Sequence, residues 1–509
     1  MEERKKIHTW KVIFNQSILK FKEEIKVISN LPLNCDEQRV IHNDVERTRA
    51  NIITPSERIL MENLLIFYCE TEGIKYKQGM NEVLAPFLLM TRIGVSSNEA
   101  YTFFSLFIQR TLPCMFKDDS FQPVHVHFGI FRLLLRYHNP RITSLFEEHQ
   151  ITPSLYASSW FITIFSSKTL DIDTVLYLWE HLLNEKDEIF ICYIAVAFLE
   201  YFCDEFIQED PTLIPQIILS IRLKNPKEVE NIVHLAKKIK ANMPYSLHAR
   251  LLKFNISQLD NINSALYNLN SQICLTMQVR EFMLRMYPHT KFCGHEHGCE
   301  CSPQSYNDLP FMAIDCRNKT EQLAGTINNS ELLNERAYED SDFLHSITNE
   351  YRGARGQYHI CLMGSAPFKI KQEEVKNDKE DDEEDYGQNM MENLLDLFLE
   401  NDFPYVSIVE GGFQKVHEFA MHYRLPIEKH NPGLCLVCNP ESGKNSVIKE
   451  GLKKIGNKLV GRFRAFSTAV KGYVRSESSL QFESPDVNKP GSKRKAVTRR
   501  PSVENIESN

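Results

Sequence analysis

Apolar residues recur at helical spacing through the first half of the chain, up to about residue 255. Residues 57–71 include Leu60 and Leu64 on one side of such a helix, and Ser56 before them is a suitable N-cap residue. Residues 189–202 are nearly continuously apolar, which predicts a helix buried on all sides. These patterns favour a stack of helices with little strand.

The periodicity changes after about residue 270. Short apolar runs at residues 311–317, 358–364 and 405–409 predict strands, and residues 390–401 predict a helix before the last of them. The last run closes on a Gly-Gly pair. Strand, helix and strand in this order predict a small α/β domain with a parallel sheet.

Composition narrows the class of protein. With 509 residues, 42% of them hydrophobic, the chain can bury more than one core. The net charge of −8 is uneven, because acidic residues crowd positions 372–385 and basic residues crowd the last 65 positions. This asymmetry favours separate interaction surfaces over nucleic-acid binding.

The sequence has no uninterrupted apolar stretch of the length of about 18 residues that a spanning helix needs, and no long apolar run near residue 1. We therefore expect neither a membrane span nor a secretory signal. Without such a signal, the 13 cysteines are expected to be reduced thiols.

Two polar motifs lie close together in the helical half. The first contains Asp44 and Arg47, and the second contains Tyr76, Gln78 and Gly79. Arginine is a permanently charged, planar donor, and a glutamine amide can orient a water molecule, so the pair offers what a slow GTPase lacks in the hydrolysis transition state. The alternative is that Asp44 and Arg47 form only a surface pair at helical spacing, worth about a few tenths of a kcal/mol.

A third block supports the functional alternative. It comprises Pro153, Tyr156 and Trp160 at fixed spacing, followed by Leu178-Trp179-Glu180. Together the three motifs, over roughly residues 30–220, resemble the TBC domain of Rab GTPase-activating proteins.

That resemblance implies a role for each motif residue. Arg47 matches the family's arginine finger, and Gln78 matches the glutamine that replaces the Rab's own. Asp44 would hold the loop of the arginine, while Tyr76 and Gly79 would shape the turn that carries Gln78.

The second half resembles a rhodanese domain, whose first strand ends in Asp-x-Arg as at Asp315 and Arg317. Active members carry a catalytic cysteine where this chain has Met363, and Cys361 lies two positions earlier, within the strand. Carboxylates of the loop at residues 371–388 would repel an anionic substrate and raise a thiolate's pKa. We therefore expect a non-catalytic scaffold; sulfurtransferase activity would require a reactive Cys361.

These observations predict a multidomain fold. An all-α TBC domain spans residues 1–260, and a rhodanese-like α/β domain spans residues 270–427, with a Cys/His insert at 289–303 and the acidic loop at 371–388. Residues 428–509 contain a Cys-x-x-Cys pair, a basic amphipathic helix and a partly disordered tail.

The combination of the two domains resembles the TBC–rhodanese Golgi adaptor family. It implies a protein of the cytoplasm, peripheral to Golgi or endosomal membranes, that acts in endosome-to-Golgi transport with a Rab GTPase and a golgin or other coiled-coil tether as partners. Animal members of that family lack the finger residues, whereas this chain retains both.

Two functions remain open at this point. The first is an activator of a Rab GTPase. In that case this protein is not an enzyme itself and has no cofactor of its own, but acts on the GTP and Mg²⁺ that the Rab binds. The second is a non-catalytic vesicle tether at the trans-Golgi that uses both folds only to bind partners.

Two cysteine groups have metal-ligand spacing. Cys435 and Cys438 form a Cys-x-x-Cys pair, and a Cys/His group lies at residues 293–301. Their meeting would give a structural zinc site. The alternative is two exposed loops that contain thiols.

Residues 447–474 have apolar residues at spacings of three and four with lysines and arginines between them. This pattern predicts a basic amphipathic helix, although glycines weaken it. Such a helix suits an anionic membrane surface, a partner's groove or the chain's own α/β domain.

Overall fold

The computed structural model describes residues 9–14, 37–118, 120–254, 262–288, 309–365 and 384–440. The predicted Cys/His group at 293–301, the amphipathic helix at 447–474 and the tail lie outside these residues. No helix within the described ranges has both the length and the apolar character that crossing a membrane requires.

The first part of the chain is helical, as predicted. Its helices are α1 (residues 9–14), α2 (Gln38–Arg47), α3 (Pro55–Glu72), α4 (Met80–Leu89), α5 (Ser97–Thr111), α6 (Gln122–His138), α7 (Pro140–Glu148), α8 (Pro153–Tyr156), α9 (Ser158–Ile162), α10 (Ile172–Glu185), α11 (Phe190–Tyr201), α12 (Ile214–Ser220), α13 (Pro226–Ala241), α14 (Tyr245–Leu252) and α15 (Ile262–Ser271).

Helix α11 lies at the centre of this part. Every residue from Phe190 to Leu199 is buried, which confirms the prediction of a helix without an exposed face. It packs against α6 and α13. The buried indoles of Trp160 and Trp179 belong to the same core.

The start of α3 differs from the prediction. The helix begins at Pro55, and Thr54 is its N-cap, with reciprocal hydrogen bonds to Glu57 in a capping box. Ser56 lies inside the first turn instead. Thr54 is favoured because proline is well tolerated directly after the cap, where its missing N–H has no helical partner to lose.

A parallel sheet follows. Its strands, in spatial order, are β1 (Thr276–Met277), β6 (Val406–Val409), β5 (His359–Met363), β2 (Phe311–Asp315) and β4 (Ser330–Leu332), and a separate antiparallel pair consists of β3 (Thr326–Ile327) and β7 (Ile427–Glu428). The helices of this part are α16 (Val279–Met286), α17 (Lys319–Leu323), α18 (Arg336–Glu339), α19 (Ser341–Glu350), α20 (Glu384–Glu400) and α21 (Gly412–Tyr423).

The three predicted strands correspond to β2, β5 and β6, and they pair in parallel as expected. Strands β1 and β4 were not predicted. Helix α20 begins at Glu384, earlier than predicted, so residues 384–388 of the predicted acidic loop are helical. The likeness of this part to rhodanese stays a prediction.

Both faces of the sheet are covered. Ala313 and Cys361 face the core shared with the helical part, whereas Ile314 and Leu362 face a second core beneath α19 and α20. Alternation of this kind follows from the two-residue repeat of a strand, and coverage of both faces is usual for parallel strands.

Helix α6 joins the helical part to the α/β part. Arg136 donates to Glu147 at 2.7 and 2.9 Å and to Asp396 on α20 at 2.9 Å. The hydroxyl of Tyr137 lies 2.6 Å from Nδ1 of His359 on β5. All these side chains except Asp396 are buried, so the two parts share a polar contact inside their junction.

Candidate functional site

The site begins at the C-terminal end of α2. Helical spacing turns Ile41, Asp44 and Thr48 toward the core, where all three are buried. Arg47 lies off this face and is exposed. Its Nε donates to the carbonyl oxygen of Asn43 at 3.1 Å, and this is the hydrogen bond that the guanidinium makes among the described residues.

The second predicted motif lies in the turn between α3 and α4. Gly79 directly precedes α4 and has φ +109°, a backbone conformation that residues with a Cβ rarely adopt. A Cβ on Gly79 would lie 2.4 Å from Cγ2 of Ile162. Gln78 is exposed beside it, and its side chain makes no hydrogen bond to the residues that the structure describes.

Two hydrogen bonds join α2 to this turn. The hydroxyl of Tyr76 donates to Oδ2 of Asp44 at 3.1 Å, and Nδ2 of Asn81 donates to Oγ1 of Thr48 at 2.7 Å. Asn81 also accepts from the backbone N–H of Gly79 through its Oδ1 at 3.0 Å. These buried bonds fix the turn relative to the helix.

The protonation of Tyr76 suits this arrangement. Burial and the nearby Asp44 carboxylate raise the pKa of the Tyr76 hydroxyl well above its usual range. The hydroxyl therefore keeps its proton and donates it to the carboxylate.

Arg49 supports the same site, and the sequence analysis did not identify it. It is buried, and its Nη2 donates to the carbonyl oxygen and hydroxyl of Ser166 at 3.0 and 2.9 Å. Its Nη1 donates to the carbonyl oxygen of Leu170 at 3.1 Å, and its Nε lies 3.4 Å from Glu82 in the first turn of α4. The available signal in the sequence was a second arginine two positions after Arg47. In the structure Arg47 is exposed and Arg49 is buried.

The structure thus brings Asp44, Tyr76 and Gly79 into one hydrogen-bonded unit. Arg47 and Gln78 are exposed on the two segments that this unit joins. Their chemical roles remain predictions.

The rhodanese-type position contains no accessible thiol among the described residues. Met363 is the last residue of β5 and is buried. Cys361 is fully buried as well, and burial raises the pKa of its thiol to about 12. At neutral pH this thiol is protonated and out of contact with solvent, which disfavours a nucleophilic role.

One group of side chains has the composition of a metal site. Cys435 and Cys438 lie beside His417 of α21 and His430, neither of which the sequence analysis selected. The spacing of 12 intervening residues between the two histidines gave no recognisable motif. The predicted pairing with residues 293–301 falls outside the described residues.

Comparison with known proteins adds family information. Residues 3–207 match the sequence model of the Rab-GTPase-TBC domain. The human TBC domain-containing protein kinase-like protein is 29% identical over 134 residues, covering 26% of this chain and 14% of that protein. Its Dictyostelium discoideum counterpart is 32% identical over 110 residues, covering 21% of this chain and 10% of that protein.

A solved structure described as the Chlamydomonas flagellar RabGAP TBC domain aligns with a TM-score of 0.37 and 17% identity, over 45% of this chain and 77% of that one. The matched segments cover only 14% and 10% of the two curated relatives and about a quarter of this chain or less. The similarity therefore concerns one part of this chain. That part, residues 3–207, is a Rab-GTPase-TBC domain, and its described residues are largely helical.

Proposed function

We propose that this protein is a GTPase-activating protein for a Rab-family GTPase, and that Arg47 and Gln78 enter the GTP site of the Rab. The observation that carries this proposal is the buried bond between Tyr76 and Asp44, which ties together the two segments that expose them. We expect a partner that docks on these segments to contact both side chains.

The geometry of Arg47 suits an arginine finger. Its Nε is held by the carbonyl oxygen of Asn43, while the terminal nitrogens make no hydrogen bond within the described residues. Those nitrogens can donate to the phosphoryl oxygens on which negative charge accumulates during hydrolysis. An arginine supplied to a GTPase in this way accelerates hydrolysis by about 10³ to 10⁵.

Gln78 supplies a different function. Its amide can accept a hydrogen bond from the attacking water and donate one to the phosphate, which orients the nucleophile without deprotonating it. The left-handed conformation of Gly79 and the first turn of α4 determine the direction in which the side chain leaves the turn. The GTP and Mg²⁺ would be bound by the Rab, with no cofactor of this protein.

The cellular setting is a further part of the proposal. It rests on the sequence resemblance to TBC–rhodanese adaptors: endosome-to-Golgi transport, a golgin or other coiled-coil tether, and peripheral attachment to an anionic membrane through residues 447–474. The buried Met363 and Cys361 support a scaffold role for the α/β part.

The test is GTP hydrolysis over a panel of purified Rab proteins. We expect the full chain to accelerate hydrolysis by at least one Rab, and the Arg47→Ala/Gln78→Ala double variant to return that rate to the intrinsic one. Binding of the double variant to the same Rab loaded with a non-hydrolysable GTP analogue provides the control for folding and docking.

Failure of the wild-type protein to stimulate any Rab would contradict the proposal. If Rab or coiled-coil binding persisted in that case, the non-catalytic tether would be the supported function. An unchanged rate with the double variant would instead show that other residues perform the catalysis.

A further inference from the structure

We propose that His417, His430, Cys435 and Cys438 bind one structural zinc ion. The four side chains each offer one ligand atom, and these atoms all lie within 4.8 Å of one another. Two thiolates and two imidazoles form a donor set that zinc prefers.

The three closest distances between ligand atoms of His417, His430 and Cys438 are near the edges of a zinc tetrahedron, and Sγ of Cys435 lies within 4.8 Å of the other ligand atoms. Nε2 of His417 lies 3.1 Å from Nε2 of His430, and Sγ of Cys438 lies 3.4 and 3.6 Å from the same two nitrogens. Bonds of about 2.0–2.3 Å from zinc to nitrogen and sulfur give tetrahedron edges of about 3.3–3.8 Å. A central ion is therefore within bonding distance of each ligand after small movements.

Hydrogen bonds alone account less well for this cluster. In a contact between two neutral imidazole Nε2 atoms only one of them can donate, and Cys438 approaches both nitrogens. A cation at the centre accepts a lone pair from each of the four ligand atoms and favours the deprotonated form of both cysteines.

The backbone around the cysteines is already folded into a turn. Asn431 accepts from the N–H of Gly433 through Oδ1 at 3.1 Å and from the N–H of Cys435 through its carbonyl oxygen at 2.9 Å. Asn439 donates its N–H to the carbonyl oxygen of Cys435 at 2.8 Å. These bonds fix the turn that carries the Cys-x-x-Cys pair, and Cys438 in this turn contacts His417, which is 3% exposed.

The ion would stabilise the end of the α/β part. Beyond α21, the two-residue strand β7 pairs with β3, and the N–H of Asn431 donates to the carbonyl oxygen of Ala324 at 2.9 Å. Zinc bound between His417 on the helix and the turn at residues 431–439 closes this segment onto α21. Four protein ligands leave no open position, so the site is structural and not catalytic.

The test starts from the full-length protein purified without added chelator. We expect zinc-edge X-ray absorption of the wild type to give nitrogen at about 2.0–2.1 Å and sulfur at about 2.3 Å in equal numbers. We expect His417→Gln to hold about one equivalent less zinc than the wild type.

Two variants complete the comparison. His422→Gln changes an exposed histidine on the same helix and should keep all the zinc. Cys299→Ser tests the pairing suggested by sequence alone, in which residues 293–301 supply the remaining ligands; under our proposal it leaves the zinc at Cys435 and Cys438 unchanged.

Three results would overturn the proposal. They are less than about half an equivalent of zinc in the wild type, wild-type zinc content in His417→Gln, or loss of the Cys438-bound zinc in Cys299→Ser. If His417→Gln does not fold, the absorption spectrum of the wild type decides, because a sulfur-only or nitrogen-only shell contradicts the ligand set.

Discussion

The hydroxyl of Tyr76 donates a hydrogen bond to the Asp44 carboxylate at 3.1 Å in the interior of the helical part. Removing that hydroxyl leaves a buried carboxylate oxygen without this donor. Tyr76→Phe should therefore lower the free energy of unfolding by about 1–3 kcal/mol. It should also slow Rab GTP hydrolysis, because the turn carrying Gln78 loses one of its attachments to α2.

Urea unfolding measures the first effect, with Tyr245→Phe as the control. Tyr245 is 53% exposed, so its loss should change stability by less than about 0.5 kcal/mol. Equal destabilisation by the two variants would show that the bond to Asp44 contributes nothing specific.

Gly79 offers a second test, because the chain contains a matched glycine. Gly79 and Gly94 have similar φ values of +109° and +99°, but a Cβ at Gly94 would have no atom within 4 Å. Gly94→Ala should lower the free energy of unfolding by about 1–2 kcal/mol, because alanine is disfavoured at this positive φ. Gly79→Ala should lower it by about 1–3 kcal/mol more, since its Cβ would also overlap Ile162.

Thermal and urea unfolding of both variants give this difference. Similar stability of Gly79→Ala and Gly94→Ala would mean that the turn moves away from Ile162 without cost. In that case the position of Gln78 would not be fixed by the close approach.

The ion pairs of Arg136 at the junction predict a pH dependence of stability. Arg136 contacts two carboxylates, Glu147 and Asp396, and one guanidinium charge can balance only one of them. Burial, opposed by Arg136, raises the pKa of Asp396 from 3.8 to about 7. The folded protein therefore holds a proton that the unfolded chain releases near pH 4.

Folding then takes up a proton between about pH 4 and pH 7, so this group's contribution to stability falls as the pH rises through that window, by at most about 1.4 kcal/mol per pH unit. Asp396→Asn should remove this slope. Urea unfolding from pH 5 to pH 8 measures it, and parallel curves for wild type and variant would contradict the assignment.

The thiol of Cys361 should not react with alkylating reagents in the folded protein. Because it is fully buried and burial raises its pKa to about 12, iodoacetamide should leave it unmodified in the native protein and label it after denaturation. Cys438, which is exposed, is the reference once a chelator is present. Rapid native labelling of Cys361 that thiosulfate prevents would favour a sulfurtransferase instead.

Long periodic segments were predictable from the sequence. The apolar run that became α11 and the runs that became β2, β5 and β6 each contain enough buried residues to define their own structure. Strand β1 has only two residues, and its strand conformation depends on pairing with β6, so no local pattern revealed it.

The candidate functional site was predictable only in part, because some of its contacts, like those of β1, join residues that are distant in the sequence. Motif spacing identified Arg47 and Gln78, but the packing role of Arg49 depends on Ser166, more than a hundred residues away in the sequence. His417 and His430 approach the two cysteines only after α21 and the following turn have folded. Contacts of this kind require the tertiary structure.

The most direct test of the central claim is the single-turnover rate of GTP hydrolysis by a Rab that responds to the wild-type protein. Arg47→Ala should lower that rate by about 10³ or more, and Arg47→Lys should recover little because an ammonium cannot donate in the planar, two-pronged manner of a guanidinium. Arg352→Ala, at an exposed arginine of the α/β part, should keep the wild-type rate. A rate for Arg47→Ala within about twofold of the wild type would contradict the account.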